Sequence, residues 1–76
     1  MYALDKTDET IATYERAKML AYNSASRHYI DGRIAICRQY LDAAMQAFEA
    51  ASTAEPDNLA HWHALALTQL QAAHSP

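Results

Sequence analysis

Seventeen of the 76 residues are alanine, none is valine and one is glycine. No other feature constrains the fold as much. Alanine loses no side-chain entropy in a helix and leads the propensity scale. Strands draw instead on valine and other β-branched or aromatic residues. The expected class is all-α. The length allows one small domain over residues 1–76, and a chain of this size buries only about 60% of its unfolded surface.

Apolar spacing predicts three to four helices. The first covers about residues 8–22, with Thr7 as N-cap and Asp8 and Glu9 in the first turn, where the helix dipole favours acids. Ile11, Tyr14, the Lys18 stem, Ala21 and Tyr22 recur at helical spacing. Asn23 and Ser24 favour caps and turns and mark a break, although a helix continuing through them is an alternative. A second segment covers about residues 25–38. It carries one stripe of Ile30, Ile34, Cys37 and Leu41 and another of Tyr29, Arg33, Ile36 and Tyr40. The third covers residues 41–54, with Leu41, Ala44, Met45, Phe48 and Ala51 three or four apart. Glu55-Pro56-Asp57-Asn58 then stops the chain, because the residue before proline avoids helical dihedrals and Asp or Asn can cap the next helix. A fourth helix is expected over about residues 59–73. Short connections between helices imply antiparallel neighbours.

Sliding the chain along itself until Ile11 falls on Met45 superimposes like on like. At that offset Tyr14 falls on Phe48, Ala17 on Ala51, Gly32 on Ala66 and Ile36 on Leu70. Gly32, Ala44, Phe48, Ala51 and Pro56, followed by Trp62, Leu65 and Ala66, stand at spacings that resemble the tetratricopeptide (TPR) repeat, a helix–turn–helix unit with a period of about 34 residues. The TPR-like unit covers about residues 25–58, and a first-helix remnant covers residues 59–73. The resemblance is weak over residues 1–30. His28 and Asp31 replace the expected aromatic and leucine, and Gln69 stands where an aromatic is usual. The small residues Gly32, Ala44, Ala51 and Ala66 would allow close helix approach. On this reading Ala44→Leu overpacks the hairpin, whereas Ala47→Leu falls on an exposed position. An unrelated alanine-rich bundle is the competing architecture.

The resemblance implies a concave face lined by the first helix of each unit. That face would present Ser26, Tyr29, Arg33, Ile36 and Cys37, then Ala60, His63, Leu67 and Leu70. Tyr29, Arg33, Ile36, His63 and Leu67 are the expected partner contacts, with Tyr29 and Ile36 also readable as core. Family members that clamp a carboxylate use several basic side chains here, and this chain offers Arg33. An apolar or helical segment of another protein is therefore the expected ligand. Three or more repeats are normally needed for stability, so a homodimer or hetero-complex is expected. The implied function is a small adaptor-like or chaperone-like interaction module. The alternative is a self-associating regulatory or inhibitor protein of a bacterial operon or mobile element, without a ligand groove.

Charge and composition exclude other classes. The net charge is −3, and all six Lys and Arg lie at or before Arg38. Residues 1–38 carry six basic and five acidic groups, net +1, and residues 39–76 carry four acids and no Lys or Arg, net −4. This argues against phosphate-driven nucleic-acid binding. No apolar run is long enough for a membrane span, and Met1–Glu9 lacks the features of a secretory signal, so a cytoplasmic location is expected. Cys37 lies on an apolar stripe and reads as a small hydrophobe. His61 and His63 are two apart, roughly 200° around a helix, which suits surface positions or one buried histidine better than a shared metal. No catalytic site, metal or cofactor is expected.

Overall fold

A computed structural model describes residues 6–21 and 23–74. They form four helices, α1 (Lys6–Leu20), α2 (Ser24–Cys37), α3 (Leu41–Ala54) and α4 (Leu59–His74), and no strand occurs among the described residues. The fold is all-α. α1 begins before the expected start, so Thr7 lies inside the helix rather than capping it. Ile11, Tyr14 and Lys18 are its half-buried positions, Ala21 is half-buried just after its end, and Tyr22 lies outside the described residues.

The chain breaks at Asn23, and a helix continuing through that point is ruled out. Asn23 is extended, with φ −128° and ψ 157°, and its side chain accepts a hydrogen bond from the Ser26 amide at 2.7 Å. This is an N-cap, filling one of the donors that a helix start leaves unpaired. α2 ends differently. Gln39 takes a left-handed φ of 63°. The Tyr40 amide donates to Ala35 O at 2.9 Å, and the Gln39 amide donates to Ile36 O at 2.9 Å. That pair of bonds is the Schellman closure, which glycine usually makes. At the third junction the Asn58 side chain accepts from the Ala60 amide at 3.0 Å and caps α4.

The helices pack in chain order, α1 on α2, α2 on α3 and α3 on α4. Short turns make successive helices run back along one another. The core cluster is Ala35, Ala44, Phe48, Ala64 and Leu65, with Tyr29, Ile36 and Met45 against it. Gly32 sits beneath Phe48, where a Cβ would fall under 3.0 Å from three atoms of the ring. Small residues thus bring α2 and α3 together around one aromatic. Ser52 and Thr68 are also buried, and each hydroxyl donates within its own helix, to Phe48 O at 2.9 Å and Ala64 O at 2.8 Å. Such back-bonding lets a hydroxyl enter the core with its donor satisfied. No helix among the described residues is long and apolar enough to cross a membrane.

Candidate functional site

The residues expected to touch a partner divide into two groups. Tyr29, Arg33 and Ile36 on α2 are half-buried and engaged within the chain. The Tyr29 ring lies 5.7 Å from Phe48 and 5.2 Å from His61, so it joins α2 to α3 and α4. Ile36 packs on the core cluster. Arg33 turns to α1, where its Nε donates to the Tyr14 hydroxyl at 3.1 Å and its guanidinium lies 5.9 Å from the ring centroid. The Tyr14 hydrogen bond raises the Arg33 pKa further above its already high value. His63 and Leu67, in contrast, are exposed on α4.

α4 carries apolar side chains on both sides. Its inner face is His61, Ala64, Leu65 and Thr68, at helical spacing. Leu59, Trp62, Leu67 and Leu70 stand outward, 78%, 45%, 51% and 56% exposed. Two expectations need correcting here. Trp62 and Ala66 do not share the packed face with Leu65, because the helix presents His61 and Ala64 inward instead. Ala66 is exposed, since no helix among the described residues covers it. Trp62 lies half-open, with its indole Nε1–H donating to Pro56 O at 2.9 Å.

His61 is 4% exposed, although nothing in its immediate sequence singles it out from His63. Its Nε2 lies 2.9 Å from Glu55 Oε1. A carboxylate only accepts, so Nε2 carries the hydrogen. The same Glu55 oxygen accepts from Asn58 Nδ2 at 3.3 Å. These two donors hold the Glu55 carboxyl below the ordinary glutamate pKa, with His61 the larger cause. His61 Nδ1 is buried and has no partner. The arrangement ties the start of α4 to the end of α3. Buried His61, Ser52 and Thr68 carry one signal in the sequence, their spacing of three or four residues from Phe48, Ala64 or Leu65.

Other clusters carry less chemistry. Among the described residues, no three His, Cys, Asp or Glu side chains are placed to share a metal ion. Cys37 is a half-buried free thiol. An open cleft between α1 and α2 is ringed by charged groups. Lys18 pairs there with Asp31 at 2.6 Å and Arg38 with Glu15 at 3.5 Å, so opposite charges offset each other. Among the described residues the exposed large hydrophobics are Leu59, Trp62, Leu67 and Leu70 on α4, Met19 and Leu20 at the end of α1, and Tyr40. No family model, curated protein or solved structure matches this chain.

Proposed function

We propose that this chain is a small, TPR-like protein–protein interaction module that holds an apolar or helical segment of a partner protein on α4. One observation carries the reading: α4 packs His61, Ala64, Leu65 and Thr68 inward and leaves Leu59, Trp62, Ala66, Leu67 and Leu70 open to solvent on its other side. Exposed apolar patches mark interaction sites. The face has no Lys, Arg, Asp or Glu between Leu59 and His74, which suits an apolar ligand rather than a charged tail. The reading involves no catalysis.

Affinity capture with the wild-type chain and with a Leu67→Glu/Leu70→Glu variant tests it. Both positions are exposed, so the variant should keep its helical content. The module reading requires a protein retained by the wild type and lost with the variant. Equal recovery by both chains, or recovery by neither, overturns it.

A further inference from the structure

We infer that the outer face of α4 is covered by α1 of a second copy of this chain, so that copies join head to tail. The inference rests on the reading of α4 as a docking face and names its occupant.

The register comes from the chain's own internal symmetry. The offset that places Tyr14 on Phe48 lays α1 on α3 and α2 on α4. Thr10 then falls on Ala44, Gly32 on Ala66 and Ile36 on Leu70. α3 covers α2 by seating Phe48 over Gly32. The corresponding arrangement, α1 over α4 with Tyr14 beside Ala66 and the two helices set further apart to clear the Ala66 Cβ, is not made within one chain, where α1 packs on α2 and Ala66 is exposed. A second copy supplies it. Phe48 touches helices on two sides, Gly32 of α2 and the cluster containing Ala64 and Leu65 of α4. Tyr14 meets α2 through Arg33 and is half-buried, which leaves it a second side. Its neighbours Thr10 and Ala17 are exposed, small enough for close approach, and aligned with the fully buried Ala44 and Ala51.

Charge does not oppose the pairing: α1 carries Lys6, Arg16 and Lys18 against Asp8, Glu9 and Glu15, and α4 carries no Lys, Arg, Asp or Glu. The contact uses different surfaces on the two copies, so it propagates into open chains or closes into a ring.

Two substitutions separate this arrangement from its rivals. Ala66→Arg blocks the α4 face, and Thr10→Arg blocks the α1 face. Both sites are exposed helix positions, and circular dichroism checks that each variant folds. Ala66→Glu and Thr10→Glu repeat the test with the opposite charge. Light scattering after size exclusion is then run over a concentration series. The wild type should exceed the mass of one chain and grow with concentration. Each variant alone should be monomeric. Mixing the two should give a one-to-one heterodimer, because each supplies the face the other lacks. A monomeric wild type at every concentration overturns the inference, as does self-association that survives Thr10→Arg or a mixture that stays monomeric. A monomer that still captures a partner through Leu67 and Leu70 would remove this inference alone and leave the module reading standing.

Discussion

Gly32 lies directly beneath the ring of Phe48, so close that a Cβ at position 32 would fall under 3.0 Å from Cε1, Cδ1 and Cζ. Phe48 is 1% exposed, so its ring is enclosed within the core. In an open helix interior, Gly→Ala gains roughly 0.8–1.0 kcal/mol. Here Gly32→Ala should instead cost about 1–3 kcal/mol through overpacking. Urea denaturation measures it. The cost should shrink in a Phe48→Leu background, since neighbouring sites couple.

Ala44 is fully buried where α3 meets the core. Ala44→Leu should therefore lose about 1–3 kcal/mol. Ala47, expected to be exposed, is half-buried, so Ala43 is the better control on the same helix. Ala43→Leu should stay within about 0.5 kcal/mol of the wild type. Equal tolerance at Ala43 and Ala44 would contradict the packing described.

Gln39 holds the left-handed position that closes α2. A side chain there costs roughly 1–2 kcal/mol of conformational energy, part of which glycine returns as chain entropy. Gln39→Gly should stabilise the chain by about 0.5–1 kcal/mol. For a domain of this size the melting temperature should rise by a few degrees, about 4–8 °C per kcal/mol. Asn23→Ala should act in the opposite direction, losing about 1 kcal/mol with the α2 cap.

The hydrogen bonds from His61 and Asn58 lower the Glu55 pKa in the folded chain. The folded state thus binds the Glu55 proton less tightly than the unfolded state does. The resulting stability is present above the unfolded glutamate value and is lost as pH falls through the lower folded value. Glu55→Gln should lower the melting temperature near neutral pH, and the gap from wild type should close as the solution is acidified below the carboxylate range. A gap that stays constant from about pH 7 to about pH 3 would show that the bond contributes no such linkage.

The sequence by itself determined the local structure. Alanine content, apolar spacing, Asn23 and Pro56 placed α2, α3 and α4 within a residue or two of their observed ends, because these signals act on a residue's own dihedrals and its nearest hydrogen bonds. Gln39 escaped that reading, since its left-handed turn is imposed by the two helices it joins and not by any preference of glutamine. Burial could not be read in the same way. Gly32 and Ala66 are equivalent under the repeat offset, yet one lies under Phe48 and the other faces solvent. His61 turns inward while Trp62, beside it, stands half-open. Tyr29 and Arg33 share a stripe on α2, yet one packs on Phe48 and His61 and the other turns to Tyr14. Each outcome depends on which helix lies opposite. Burial belongs to a pair of surfaces, and only the tertiary structure brings both members of the pair together.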